Sequence, residues 1–107
     1  TSPPLPREVR PMSALLIVDT KINDPESYEE YKALAKPLAE KFGGVYRARG
    51  ERMDVIETQL WEPTRLVLIE FPTFEDAHAF LDSDEYAPVK ALRHRYAEST
   101  AVVVQFT

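Results

Sequence analysis

Arginines and glutamates on neighbouring predicted strands are the residues of this sequence best suited to chemistry. Arg47 and Arg49 are two residues apart, so on a strand they share a face with their side chains about 6–7 Å apart. Glu57 and Glu70 follow on the next predicted strands, and each is a natural partner for Arg49 because an interior charge must be paired. A glutamate in a dry cavity can take a proton from an acidic carbon or a phenol, and an arginine can hold the resulting anion.

These charges leave two interpretations open. In the first interpretation, Arg49 forms an ion pair with Glu57 or Glu70 whose role is only structural. It fixes the register between strands or the contact between two copies of the chain in a dimer. In the second, Glu70 or Glu57 is a catalytic base and Arg49 stabilises an enolate or phenolate. The substrate contacts predicted in that case are Arg47, Trp61 and Tyr86. Trp61 is equally suited to packing at a dimer seam, and a half-buried anchor is the commoner role for a tyrosine such as Tyr86.

The sequence offers few residues suited to thiol, metal or haem chemistry. The chain has no cysteine, which removes thiol nucleophiles and thiolate metal ligands and fits a reducing cytoplasm, the predicted location. His78 and His94 are sixteen residues apart, without the spacing of metal ligands. Neither histidine lies in a motif typical of a haem axial ligand. We therefore predict no metal site and no cofactor.

The glycine-rich stretch around Gly43 and Gly44 is not a phosphate-binding loop. Such loops lie between a strand and the start of a helix, so that the helix N-terminus faces the anion. Here the two glycines follow a helix and precede a strand, where a helix stop is expected. The net charge of −5 and the acids flanking Arg47 and Arg49 argue against nucleic acid as a partner. No apolar run of membrane-spanning length occurs.

Capping residues and apolar spacing predict the elements that carry these side chains. Asp24 and Pro25 open a helix that ends before Gly43 and that Pro37 should kink or split. Thr73 opens a second helix, and another helical segment begins at Ser83. The predicted strands are residues 14–22, 45–50, 53–60, 65–71 and 99–107, where 45–50 and 53–60 form either one bent strand or a hairpin.

This order of elements is βαββαβ, which is the ferredoxin-like α+β pattern with an antiparallel sheet. Alternate residues on both sides of 65–71 and of the last strand are apolar, so both faces of the sheet need cover. Two helices can cover only one of those faces. A second copy of the chain is the expected cover for the other face, which predicts a homodimer joined through sheet faces and forming a dimeric α/β barrel.

Three separated motifs resemble a bacterial family known as domain of unknown function 1330. They are "YEEYKALAKPLAEKFGGVYRARG", the Trp61, Pro63 and Arg65 pattern followed by "VLIEFP", and "SDEYAPVKALR". The resemblance implies a dimeric α/β barrel, in a superfamily that includes cofactor-free monooxygenases, isomerases, haem enzymes and stress-response proteins. One departure is at Gly50, where Glu51 and Arg52 stand in place of the further glycines that the family often has.

The resemblance and the residues together indicate a small cytoplasmic homodimer. The expected function is a cofactor-independent monooxygenase or isomerase that acts on a small aromatic or carbonyl metabolite. The alternative is a non-catalytic small-molecule-binding or stress-associated dimer. Residues 1–11, which contain four of the nine prolines, are expected to be a disordered leader or an extension added for expression, and residues 12–107 a single domain.

Overall fold

The computed structural model describes residues 13–106, and the predicted leader lies outside the described residues. The elements follow the order β1 Ser13–Ile22, α1 Pro25–Lys41, β2 Val45–Arg49, β3 Leu66–Phe71, α2 Phe74–Asp82, α3 Ala87–Tyr96 and β4 Ala97–Phe106. All strand pairs are antiparallel and the sheet order is β2-β3-β1-β4. The predicted ferredoxin-like α+β fold is therefore confirmed, with the second crossover made by two short helices.

The helices begin where the capping residues predict. The carboxylate of Asp24 accepts a hydrogen bond from the backbone N–H of Ser27 at 3.2 Å, and Pro25 occupies the first turn of α1. The hydroxyl of Thr73 accepts one from the backbone N–H of Asp76 at 2.9 Å at the start of α2. Helix α1 continues through Pro37 to Lys41, so this proline does not split it.

The prediction of a strand at 53–60 is wrong, because residues 51–65 contain no helix or strand. Strand β3 already pairs with β1 on one side and β2 on the other, so no edge beside it is open to a further strand. Ile56 and Leu60 are 84% and 96% exposed, which shows that the apolar alternation of this segment does not face the core. No helix within residues 13–106 is long and apolar enough to cross a membrane.

The sheet has two different faces. The helix face carries the core, with the buried side chains of Ala14, Leu16 and Val18 on β1 and of Ile69 and Phe71 on β3. The open face carries the alternate residues, and the chain's own helices do not cover it. The open face contains the half-buried side chains Leu15, Ile17, Leu66 and Leu68 and the exposed side chains Val45, Val102, Val104 and Phe106.

Candidate functional site

A cavity of about 40 Å³ lies between the helix face of the sheet and helices α1 and α3. Its polar lining consists of four tyrosines, three arginines and one lysine, and the other lining residues are apolar. The tyrosines are Tyr28, Tyr31, Tyr46 and Tyr86. The cations are Lys32, Arg49, Arg65 and Arg93. No acidic side chain and no histidine of the described chain lines this cavity, which makes its wall strongly positive.

Each polar side chain reaches the cavity through the element that carries it. Tyr28 and Tyr31 are three residues apart on α1, so they share one side of that helix, and their ring centroids are 5.0 Å apart. Tyr86 is the N-cap residue of α3 and Arg93 lies two turns later on the same side. Residues this far apart in sequence meet because α1 and α3 pack side by side on the sheet.

A β-bulge in β2 decides which face Arg49 occupies. Tyr46 pairs with Ile69 and Ala48 with Leu68, so the register shifts by one residue between them. Arg49 therefore pairs with Val67 and lies on the helix face, whereas Arg47 lies on the open face. The prediction that Arg47 and Arg49 share a face is wrong, because strict alternation along a strand does not hold across a bulge.

Arg93 is the most unusual residue of the cavity, since its charged side chain is only 6% exposed. Its Nη1 donates a hydrogen bond to the hydroxyl of Tyr86 at 3.1 Å, and its Nη2 lies 3.3 Å from Nε2 of His94. Its Nε is buried without a hydrogen-bond partner. Within residues 13–106 no carboxylate lies within 4.0 Å of this guanidinium, so its charge is uncompensated.

The neighbouring imidazole does not supply a counter-charge. Burial, together with the positive charges of Arg93 and Lys90, lowers the pKa of His94 below its ordinary value. His94 is therefore neutral at neutral pH. Its ring contacts Arg93 as a polar neighbour, and the guanidinium keeps its full positive charge.

The tyrosine hydroxyls of the cavity are hydrogen-bond donors at neutral pH. The hydroxyls of Tyr31 and Tyr86 lie 2.8 Å apart. Burial raises the pKa of Tyr31, with a further contribution from its neighbour Tyr86, and burial also raises the pKa of Tyr86. Burial raises the pKa of Tyr46 to about 12, and Tyr31 adds to that shift. These phenols stay protonated, so they can donate to an oxyanion and do not act as bases.

Arg49 and Arg65 form the outer part of the cavity wall. Arg65 donates from Nη2 to the backbone carbonyl of Arg49 at 3.2 Å and from Nη1 to the hydroxyl of Thr20 at 3.4 Å. The guanidinium of Arg49 lies 5.0 Å from the centre of the Tyr46 ring. All these acceptors are neutral, and no carboxylate in the described part of the chain lies within 4.0 Å of either guanidinium.

The predicted site residues divide between the two faces of the sheet. Arg49 and Tyr86 line the cavity. Glu70 lies on the open face, where its Oε1 is 3.0 Å from Nε of Arg47, so the predicted pairing of Arg49 with Glu70 does not occur. Glu57 is exposed in the irregular segment and forms no ion pair with another described residue, because no strand places it beside Arg49.

Trp61, the last predicted contact, belongs to a cluster on the open face. Its indole N–H donates to Oδ2 of Asp19 at 2.8 Å, and Oδ1 of Asp19 accepts from the backbone N–H groups of Thr64 and Arg65 at 2.8 and 3.0 Å. Burial acts to raise the pKa of Asp19, but the hydrogen bonds from Trp61, Arg65 and Thr64 outweigh it and lower the pKa below its ordinary value. This cluster fixes the backbone from which Arg65 reaches the cavity.

Arg93, Arg65 and Tyr31 are cavity residues that the sequence did not single out. The sequence contained one usable signal for Arg93, which interrupts the apolar stripe formed by Tyr86, Val89 and Tyr96 on α3. An arginine on the inner stripe of a helix is rare unless it is paired, so its position alone pointed to a special environment. Arg65 had a signal as well, since alternation along the predicted strand 65–71 places it on the same face as Ile69 and Phe71.

The family model of a domain of unknown function, DUF1330, matches residues 13–107. The chain belongs to this DUF1330 family. The family predicted from the three motifs is therefore confirmed. No curated protein matches the sequence.

Several solved structures share the fold of this DUF1330 protein. A protein of unknown function from Rhodopseudomonas palustris is 15% identical with a TM-score of 0.70, over 92% of this chain and 85% of that one. SnoaB, a cofactor-independent oxygenase from Streptomyces nogalater, is 7% identical with a TM-score of 0.61, over 87% and 91%. A dimeric protein of unknown function with a ferredoxin-like fold from Bacteroides fragilis is 19% identical with a TM-score of 0.51, over 88% and 96%. At these identities the likeness concerns the fold.

Proposed function

We propose that this DUF1330 protein is a small-molecule enzyme of the cofactor-independent oxygenase or isomerase type. Its cavity binds a small carbonyl or aromatic metabolite that can lose a proton from carbon or a phenol, and it stabilises the resulting anion. The observation that carries the proposal is the buried guanidinium of Arg93, which has an orphaned Nε and no acidic partner among residues 13–106.

A buried charge without a counter-charge destabilises a protein by several kcal/mol in order of magnitude. A ligand anion beside Arg93 would remove that penalty, because it supplies both the missing charge and an acceptor for Nε. The hydroxyls of Tyr31 and Tyr86 lie next to the guanidinium and add neutral donors. Such a set of donors stabilises an oxyanion most strongly when water is excluded, as it is at a side chain that is 6% exposed.

The proposed chemistry begins with loss of a proton from the substrate to give an enolate or a phenolate. In the isomerase case the proton returns to a different carbon and no electrons are exchanged. In the oxygenase case the anion reduces O₂ and a CH₂ group becomes a carbonyl. The second oxygen atom then leaves as water, so the substrate supplies all four electrons and no external reductant is needed. The structural neighbour SnoaB is named as a cofactor-independent oxygenase, and this supports the oxygenase case.

The proposed proton acceptor for an acidic substrate is water or hydroxide. The cavity lining offers no carboxylate among the described residues, and the sequence-based choice of Glu70 or Glu57 as the base stays a prediction. The positive wall lowers the pKa of a bound carbon acid, so water or hydroxide is a sufficient acceptor for an acidic substrate. The missing base is also the observation that favours the alternative, a binding protein that holds an anion without transforming it.

We also propose that the protein is a homodimer joined through the open faces of its sheets. Val102, Val104 and Phe106 are 48%, 44% and 38% exposed on the open face. A flat apolar sheet face of this kind loses contact with water when a second copy covers it, at about 25 cal/mol per Å² of apolar surface. The Bacteroides fragilis neighbour, which is named as dimeric, supports a dimer for this fold.

Hydrogen–deuterium exchange at carbon tests the catalytic proposal directly. The protein is incubated in D₂O with acetoacetate or phenylpyruvate, and proton NMR follows the acidic C–H signals while an oxygen electrode follows O₂. We expect catalysed exchange with at least one compound. Arg93→Met should slow exchange by about a hundredfold or more, and Tyr86→Phe should have a smaller effect in the same direction. Exchange that is no faster than in buffer would contradict the enzyme and favour the binding protein.

Two controls make the effect of Arg93→Met on exchange interpretable. Arg95→Met removes an exposed arginine two residues away on the same helix and should leave exchange unchanged. Arg93→Met itself should leave the free energy of unfolding unchanged or raise it by about 1–4 kcal/mol, because it replaces an unpaired buried charge by an apolar side chain.

Glu70→Gln tests the predicted base, and full activity in this variant would remove Glu70 from that role.

A further inference from the structure

Resting on the proposed function, a further inference concerns the charge and size of the substrate. We propose that the cavity is matched to a short dianion, formed when an oxo-acid of about four carbons loses a proton next to its carbonyl. The permanent carboxylate lies at the outer end beside Arg49 and Arg65. The enolate oxygen forms at the inner end, beside Arg93 and Tyr86. A 3-oxo acid such as acetoacetate has this arrangement of groups.

The charge of the cavity wall supports an anion with two negative charges. Lys32 is compensated, because its Nζ lies 2.7 Å from a carboxylate oxygen of Glu29. The three arginines of the wall have no acid within 4.0 Å among residues 13–106. One acid lies close by at the outer end, since the carboxylate of Glu51 accepts a hydrogen bond from the backbone N–H of Arg49 at 2.7 Å.

Hydrogen bonds from the backbone N–H of Arg49 and from its own N–H lower the pKa of Glu51, and the charges of Arg49 and Arg65 lower it further, so this carboxylate is ionised beside them. The outer end thus carries two positive charges and one negative charge, while the inner end carries the positive charge of Arg93. The site as a whole has an excess of two positive charges. A monoanion leaves one of them uncompensated, and a dianion compensates both.

The positions of the arginines separate the two negative charges. Arg93 is 6% exposed at the inner end, whereas Arg49 is exposed and Arg65 is half-buried. Tyr86 and Tyr31 extend from Arg93 toward the outer end, and Tyr46, which contacts the Arg49 guanidinium, comes after them. The permanent carboxylate keeps partial contact with water at the outer end. The new charge develops where water is excluded, so stabilisation is greatest in the reacting state.

The volume of the cavity limits the part of the ligand that enters. About 40 Å³ takes roughly three water-sized groups. The CH₃–CO portion of acetoacetate, with three non-hydrogen atoms, has this size, and the CH₂–carboxylate portion is left at the opening. An aromatic ring exceeds it unless the helices move. The size of the cavity therefore favours the carbonyl class of substrate over the aromatic class.

A charge series on one carbon skeleton tests the inference without requiring turnover. Malonate is a stable dianion whose two carboxylates resemble the carboxylate and enolate of acetoacetate, malonamate carries one charge, and malonamide carries none. Isothermal titration calorimetry at low ionic strength compares the three. We expect malonate to bind at least about tenfold more tightly than malonamate, because its second carboxylate forms a further charge-assisted hydrogen bond. We expect malonamide not to bind.

Variants show where each charge is held. Arg93→Met and Arg65→Met should each reduce malonate affinity to about that of malonamate for the wild-type protein, and Arg95→Met should not change it. Equal affinities for the three compounds, or tight malonate binding that survives both cavity variants, would overturn the inference. Circular dichroism of each variant confirms that the fold is retained.

The two proposals fail in different ways. Binding graded by charge, with no deuterium exchange into acetoacetate, would contradict the enzyme and leave a protein that binds short dianions. Deuterium exchange with no gradation by charge would keep the enzyme and overturn the dianion. Exchange confined to phenylpyruvate would likewise overturn the short oxo-acid as the substrate class.

Discussion

Arg47 and Arg93 belong to the same domain and lie in opposite electrostatic situations. The side chain of Arg47 is 56% exposed and pairs with Glu70 at 3.0 Å on the open face. Arg93 is 6% exposed on the helix side of the sheet and has no acid near it among residues 13–106. An exposed ion pair contributes about 0–1 kcal/mol, whereas an unpaired buried charge costs several kcal/mol. The exposed ion pair of Arg47 is therefore less informative about function than the unpaired charge of Arg93.

The same contrast extends to the two faces of the sheet. The open face has apolar side chains, the Arg47–Glu70 ion pair and the Asp19–Trp61 hydrogen bond, a composition suited to contact with another protein surface. The cavity on the helix face has three arginines with no acid within 4.0 Å among residues 13–106 and a pair of hydrogen-bonded tyrosines, a composition suited to a small anion. We therefore expect assembly and ligand binding to be separable by mutation.

The largest effect should come from a charge placed on the open face. Val102→Glu puts two carboxylates near each other across a symmetric interface, and their burial without partners should convert the dimer to a monomer. Light scattering at micromolar concentration measures the mass. Ala79→Glu adds the same charge at an exposed position of α2 and should leave the dimer intact. A dimeric Val102→Glu protein, or a monomeric wild type, would contradict assembly through this face.

A smaller effect is expected at Gly50, whose backbone lies against the side chain of Arg65. Its φ is +77°, and a Cβ at this position would lie 2.5 Å from Cγ of Arg65. Gly50→Ala should therefore lower the free energy of unfolding by about 1–3 kcal/mol and shift Arg65 away from the cavity. Chemical denaturation and malonate titration measure the two consequences.

Gly43→Ala is the matched control for that prediction. Gly43 has a φ of +92°, and its added Cβ would lie 2.9 Å from the ring of Pro72, far from the arginines of the cavity. It should lose stability to a similar degree and keep malonate binding. Equal loss of binding in both variants would mean that general destabilisation, and not the position of Arg65, is responsible.

The smallest effect should be the change in stability with pH that comes from the hydrogen-bonded carboxylate of Asp19. The folded pKa of Asp19 lies below its unfolded value, so its contribution to stability is present above about pH 4 and is lost as the pH falls through the folded pKa. Trp61, the single tryptophan, reports this change by fluorescence. The difference in unfolding midpoint between wild type and Asp19→Asn should shrink between about pH 5 and pH 2. A difference that does not vary with pH would remove Asp19 as its source.

Local sequence signals predicted the fold well because each depends on neighbouring residues. Asp24 and Thr73 accept the capping hydrogen bonds expected of them, and the strand at 65–71 matches β3 within one residue. The prediction for residues 53–60 was wrong. Their alternation matches the local pattern of a strand, but both edges of β3 are already paired with β1 and β2. A strand needs a partner as well as a pattern, and the partner is a property of the whole sheet.

The candidate site was predictable only in part, for the same reason. Arg49 and Tyr86 were named from the sequence and line the cavity, but the acids expected beside Arg49 lie elsewhere. One bulge between Tyr46 and Ala48 placed Arg47 and Arg49 on opposite faces of the sheet. A bulge depends on how β2 fits against β3, and no motif in the sequence marks its position.

The sequence by itself determined the helices, most of the strands, the ferredoxin-like order and the apolar character of both sheet faces, because these follow from periodicity and capping along the chain. Only the tertiary structure decided which charges are paired. Arg93 and Tyr31 are more than sixty residues apart in the sequence, yet both lie against the hydroxyl of Tyr86. Burial and the absence of a nearby acid among residues 13–106 are long-range properties, and they are what turn an ordinary arginine into a candidate anion site.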